Sequence, residues 1–196
     1  VKVKGLNMKL TKKIYFLCLL FTTLFIIGDI MAEDSRDLIH LFLKEGTVVI
    51  ETRPDLAPKH VKQIKQLISE KKYDGVVFHR VIEGFMAQTG DVEFGNSTND
   101  SYDINRAGTG GSYLPDIEAE FSDENHGRGA VSMARAQNPN SANSQFFICF
   151  KDTSFLNGKY TIWGYVIEGM QFVDNIKLGE PPKNPDKIIK MEIVSK

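Results

Sequence analysis

The side chains in this chain best able to do chemistry are four histidines, two cysteines and Ser144, yet their spacing supports none of the usual arrangements. His40, His60, His79 and His126 form no H-x-x-x-H or other close ligand pair, so no metal site is expected. Cys149 has no Cys or His at ligand spacing, and Cys18 lies in a separate N-terminal apolar run. A zinc site and an intramolecular disulfide framework are both disfavoured. Cys149 sits among apolar residues and reads as an inert thiol. Ser144 lacks a G-x-S-x-G frame, which argues against a hydrolase elbow. Gly108-Thr109-Gly110-Gly111 lacks the Lys-Ser/Thr of a phosphate-binding loop and reads as a turn. No cofactor is expected.

Three strings remain. The first is F-H-R-V-I-E-G-F-M-A-Q-T-G-D, Phe78 to Asp91. The second is Ser132-Met133-Ala134-Arg135-Ala136, leading to Ser144-Gln145-Phe146-Phe147-Ile148. The third is Phe155-Leu156-Asn157-Gly158-Lys159-Tyr160-Thr161-Ile162-Trp163-Gly164. Together, from about Gly46 to Val194, they make the chain resemble the cyclophilin family of peptidyl-prolyl cis-trans isomerases, bacterial exported members in particular. The resemblance implies a mainly β fold, an eight-stranded antiparallel barrel capped by two helices, with a shallow proline pocket on its outer face.

Such an isomerase needs no covalent chemistry. The peptide C–N bond resists rotation by ~18–20 kcal/mol, and X-Pro isomers exchange over tens of seconds or more. Stabilising the twisted state selectively is enough, each ~1.4 kcal/mol being worth tenfold in rate. A guanidinium stays charged and presents planar, pre-aimed donors to the nitrogen lone pair exposed by twisting. By resemblance Arg80 takes this role. Phe85, Met86, Phe147 and Leu156 match the apolar wall for the proline ring, and Gln88 matches a side chain that holds the peptide backbone. Ala134 and Arg135 match positions that bind the residue before proline, mainly through backbone groups. Gln145 matches a polar support near the Arg. Taken alone, Arg80 would be a surface charge and the aromatics core residues. Phe78 and Phe146 neighbour pocket residues and should point inward. His79 reads as structural. A proline-gripping chaperone without turnover is the alternative function, and a metal-dependent hydrolase a remoter one.

The chain also departs from the family. Phe155 and Tyr160, both matching substrate-binding positions, stand where Trp and His are common. Phe155 keeps an apolar wall but has no indole N–H, which counts against tight cyclosporin binding and not against isomerisation. Arg135 stands where many members have Asn, and its charge would alter preference around the proline. The polar stretch 92–107 is longer than usual. It reads as a mobile surface loop, with a sharper alternative in which it borders the pocket and filters protein substrates.

Several elements must position these residues. Thr47–Thr52, Val76–Ile82, Ala130–Ala134, Gln145–Phe150, Tyr160–Ile167 and Ile188–Val194 read as strands. Pro58 opens a helix whose Val61, Ile64, Leu67 and Ile68 share one face, and Met170, Val173 and Ile176 suggest a second, short one. Gly84–Gly111 reads as loop. Many short strands without regular helix alternation suggest a barrel or sandwich.

Residues 1–32 read as a signal peptide or N-terminal anchor, with basic Met8–Lys13, apolar Ile14–Ile27 and a small residue, Ala32. Residues 33–43 read as a link and 44–196 as the isomerase domain. An exported, most simply periplasmic, protein is expected, touching a membrane only if the leader is retained. Beyond residue 32 the chain holds 19 basic and 24 acidic side chains. Their balance of about −5 argues against nucleic acid. Expected partners are unfolded or newly translocated polypeptides with X-Pro bonds, met by a monomer.

Overall fold

The computed structural model describes residues 36–194. The expected leader over 1–32 and the start of the link at 33–35 lie outside the described residues. Strand β1 (Leu38–Phe42) turns Ile39 and Leu41 fully inward, with Leu38, His40 and Phe42 half-buried. This corrects the reading of 33–43 as a link. Apolar side chains on both faces of L-I-H-L-F hide the two-residue period, while ladders to β2 (Thr47–Thr52) and β8 (Lys190–Val194) make β1 an interior strand.

Between these lie helix α1 (Pro58–Ser69), β3 (Arg80–Ile82), β4 (Met86–Thr89), β5 (Ala130–Met133), β6 (Phe146–Cys149), β7 (Ile162–Glu168) and helix α2 (Met170–Asp174). The eight strands form one antiparallel sheet in the order β3-β4-β6-β5-β7-β2-β1-β8. The sheet closes on itself through the segment ahead of β8. Val81 bridges Gly179, Val77 bridges Lys187, and the Phe78 N–H donates to Asp186 O at 2.9 Å. The expected eight-stranded antiparallel fold with two helices is therefore present. Inside it, Trp163, Phe146 and Tyr73 meet edge to face, with centroids 5.5 and 5.7 Å apart.

Helix α1 forms where expected and buries Val61, Ile64, Leu67 and Ile68. Its N-cap, Ala57, offers no side-chain acceptor. Glu120, sixty residues away, accepts from the Lys59 and His60 N–H groups at 3.2 and 3.1 Å. This carboxylate satisfies helix-start donors and opposes the positive end of the helix dipole.

Two expectations change. Val76–Ile82 is regular only from Arg80; Val76 and Val77 make isolated bridges, Val76 to Asn96 and Val77 to Lys187. Met86–Thr89, read as loop, is β4. Its four residues carry weak strand preference, and pairing on both edges with β3 and β6 decides the matter.

The long stretch after β4 hangs from one carboxylate. Fully buried Asp91 accepts through Oδ1 from the N–H groups of Glu93 and Phe94 at 3.1 and 2.9 Å. Through Oδ2 it accepts from Gly108 and Gly110 at 2.7 and 2.9 Å. Both ends of the 92–107 insertion are thus tied at one point. Val77 N–H to Gly95 O and Ser97 N–H to Gly75 O fasten its middle at 2.9 and 3.0 Å.

Two measurements test this description. Asp91→Ala strips four N–H groups of their acceptor. Since charge-assisted bonds are worth roughly 1.5–3 kcal/mol each, urea unfolding should show a loss of about 3 kcal/mol or more. Secondly, His60, His79 and His126 are buried, and lost hydration pushes each imidazole below its ordinary value. Glu120 opposes that shift at His60, and Asn157 opposes it at His126. The unfolded chain then binds protons that the folded chain refuses. The stability involved is complete above roughly pH 6.5–7 and is lost as pH falls through the depressed folded values. The urea midpoint should be lower at pH 5.5 than at pH 7.5, and His79→Gln should narrow that gap.

Candidate active site

Register builds the site. Arg80 on β3 lies opposite Gln88 on β4, Gln88 opposite Phe147 on β6, and Phe147 opposite Ser132 on β5. Opposed residues project to the same side of a sheet, so these four form one row on the outer face. Two residues along, Ile82, Met86 and Cys149 form the next row. The alternate residues Val81, Ala87, Val131 and Ile148 belong to the interior core, as do Phe78 and Phe146.

The outer rows carry a second apolar cluster. Met86, Phe147, Cys149, Leu156 and Ile162 are buried there, with Phe85, Ala134 and Tyr160 packed against them. Leu156 arrives on a 3-10 turn, Ser154–Leu156. The Tyr160 ring meets Phe147 at 5.9 Å and 78°. Phe155 packs on Phe85 at 5.6 Å and remains 62% exposed.

His126, set aside for metal binding, stands behind Phe147 in a stacked arrangement at 6.5 Å and 20°. Its ring nitrogens lie 3.0 Å from Asn157 Oδ1 and 3.0 Å from Ser132 Oγ. The Ser132 hydroxyl donates to Thr161 O at 2.9 Å. A buried polar post therefore backs the aromatic wall. Cys149 lies below it, and burial pushes its thiol up to about 11, consistent with an inert group at neutral pH.

The polar flank is a chain of amides. Gln88 Nε2 donates to Gln145 Oε1 at 3.0 Å, and Gln145 Nε2 donates to Gly110 O at 2.8 Å. A Cβ at Gly110 would lie 2.6 Å from Asp91 Oδ1, so only glycine admits this approach. Gln88, Gln145, Ala134 and Arg135 line a groove of about 660 Å³, walled on the other side by Gly108–Ser112 and Leu114–Asp116. No residue of 92–107 lines it. Asn96, Thr98 and Asn99 face an adjoining cavity with Glu70, Lys71 and Lys72, on the far side of Gly111 and Ser112. The insertion does not border this groove.

Arg135 differs from expectation in where its side chain goes. Nε and Nη2 donate to Lys159 O at 3.3 and 3.0 Å. Nη1 donates to Ala136 O and Gln137 O at 2.9 and 3.3 Å. The guanidinium lies 4.6 Å from the Tyr160 ring centroid. Its charge is spent holding two loops together, leaving the Arg135 main chain beside the groove.

Arg80 shares the row with Gln88, but its Nε donates to Glu180 Oε2 at 2.6 Å. The eleven expected site residues thus fall into a connected surface. Phe85, Met86, Phe147, Phe155, Leu156 and Tyr160 make its apolar part; Gln88, Ala134, Arg135 and Gln145 make its groove; Arg80 stands at the edge. Two residues in contact with this surface were not anticipated, Glu180 beside Arg80 and His126 behind Phe147. Glu180 is a hundred positions from its partner, and no local pattern could announce it. His126 lies outside the three strings and forms no ligand pair, so nothing in its sequence context singled it out.

The profile of the family described as cyclophilin type peptidyl-prolyl cis-trans isomerase/CLD matches residues 38–193. A probable peptidyl-prolyl cis-trans isomerase of Brucella abortus (strain 2308) is 60% identical over 167 residues, 83% of this chain and 85% of that protein. A peptidyl-prolyl cis-trans isomerase of Schizosaccharomyces pombe is 36% identical, covering 74% of this chain and 91% of that one. Among solved structures, a cyclophilin type isomerase of Cryptosporidium parvum, crystallised in the presence of the dipeptide Ala-Pro, superposes with TM-score 0.69. It is 27% identical over 81% of this chain and 99% of that one. A cyclophilin from Hirschia baltica gives 0.67 at 28% identity, over 80% and 73% of the two chains.

The Arg135 contacts yield a test independent of activity. Arg135→Ala should speed amide hydrogen exchange across Asn157–Thr161 by roughly tenfold, by loosening that loop locally. Amides of β4 and β6 should keep their rates.

Proposed function

The chain belongs to the cyclophilin-type peptidyl-prolyl cis-trans isomerases, and from that premise we propose that Arg80 acts on the twisting X-Pro bond, with Phe85, Gln88 and Phe147 beside it. The observation that carries this assignment is the outer-face row of Arg80, Gln88 and Phe147. It sets a permanent cation, an amide and an apolar wall side by side on three adjacent strands, which lie about 4.8 Å apart.

The division of labour follows from the contacts. The proline ring seats against Phe147, Met86, Leu156 and Tyr160, with Phe85 and Phe155 at the rim. Burial of these groups offsets the entropy lost on binding. Gln88, steadied by Gln145, holds the peptide main chain. Arg135 offers its main-chain N–H and C=O, which engage no other described residue. As the C–N bond rotates, resonance is lost and the nitrogen regains a lone pair. The two terminal nitrogens of Arg80 donate toward that position, and the donation is stronger in the twisted state than in either planar isomer.

The clients we propose are exported polypeptides with X-Pro bonds, met as they fold beyond a membrane. The support is the basic, apolar and small-residue order of residues 8–32. Among the described residues no helix is long and apolar enough to cross a membrane.

The deciding experiment is a protease-coupled isomerisation assay on a proline tetrapeptide. Arg80→Ala should lower kcat/KM by about 10²-fold, the scale for losing a preorganised donor, with an unchanged melting temperature. Full turnover by that variant would reject Arg80 as the acting group. Absence of turnover in the unaltered protein would favour a proline-gripping chaperone.

A further inference from the structure

We infer that Glu180 is a positioning residue for Arg80, fixing the guanidinium before a peptide arrives. The inference rests on the reading of Arg80 given above and adds a residue to it. Arg80 stands at the edge of the outer row, with its side chain 41% exposed. A long side chain in that situation samples many rotamers, and ordering it during the reaction would slow every turnover. Gln88, directly opposite in the ladder, accepts no hydrogen bond from the guanidinium, and its own Nε2 donates away from it to Gln145. Among the described residues, the Glu180 carboxylate is the one group that accepts from the Arg80 side chain, through Nε at 2.6 Å.

Glu180 can do this because its own backbone is fixed against β3. Val81 N–H donates to Gly179 O at 2.8 Å, and Gly179 N–H donates to Val81 O at 2.9 Å. This reciprocal pair sets the residues next to Arg80 and Glu180 opposite one another. Gly179 is confined to this role. Its φ is +145°, and a Cβ there would lie 2.6 Å from Pro182 Cα. The carboxylate is therefore presented from a fixed point on the seam that closes the barrel.

The choice of nitrogen matters as much as the contact. A carboxylate on the Nη face would occupy the donors that a peptide needs. Here Nε is taken, while Nη1 and Nη2 donate to no described residue. A pair that fixes the side chain and spares the terminal fork favours catalysis rather than blocking it. The effect is of modest size, since exposed ion pairs are weak.

The test uses the full chain and the same proline tetrapeptide assay. Glu180→Ala should lower kcat about fivefold, which converts to ~1 kcal/mol. KM and melting temperature should stay put, because the apolar wall is untouched. Glu180→Gln retains an acceptor oxygen and should recover most of the loss. In an Arg80→Ala background, Glu180→Ala should change nothing further, as two residues acting through one group are not additive. Nitrogen-15 NMR should show a sharp Arg80 Nε–H signal that broadens or exchanges away in Glu180→Ala. Unchanged or raised kcat in a folded Glu180→Ala protein would overturn the inference. So would an equal loss with and without Arg80. An unaltered protein that lacks turnover fails the isomerase reading instead, so the two failures are distinct.

Discussion

The pleat of four adjacent strands, β3, β4, β6 and β5, governs this molecule. Each places one residue in the barrel interior and the next on the outer face, where Met86, Phe147 and Cys149 stand beside the polar Arg80, Gln88 and Ser132. Phe146 faces Trp163 and Tyr73 inside; Phe147, its neighbour, faces His126 and Tyr160 outside. A slip of one residue would send the interior set outward and the pocket set inward. Core and site are therefore specified by the same register, and stability and site geometry cannot be tuned separately on these strands.

The polar half of the site depends on Asp91 in a comparable way. Its carboxylate collects N–H groups from the start of the insertion and from the Gly108–Gly110 turn that follows it. Gly110 O then receives the Gln145 amide, which in turn receives Gln88. A single buried carboxylate thus orders the groove wall and, through Gln145, the side chain of Gln88. This explains how an insertion longer than the family's usual link leaves the site intact. Its extra residues are accommodated between two ends that share one anchor.

Much of this was legible in the sequence, and for a physical reason. Strings such as F-H-R-V-I-E-G-F-M-A-Q-T-G-D encode local alternation and turn chemistry, and a resemblance over such strings carries the register with it. Helix α1 was readable from its own periodicity. What stayed hidden depends on distant partners. β1 and β4 lack a clean two-residue pattern, and ladders on both edges make them strands. Glu120 caps α1 from sixty residues away. The Arg135 side chain looked like a specificity charge because its partners, the carbonyls of Lys159, Ala136 and Gln137, leave no trace in side-chain identity.

Phe155, more than half exposed at the rim, has a consequence for time rather than for structure. A wall that open encloses little of a bound group, whereas small-molecule pockets bury most of their ligand's surface. On the proposed reading of Phe155 as a rim residue, each encounter would be brief and differences among bound sequences would stay small. Such a site would visit many prolines during the tens of seconds that one X-Pro bond needs to turn unaided, and would leave each before holding on became an obstacle to folding.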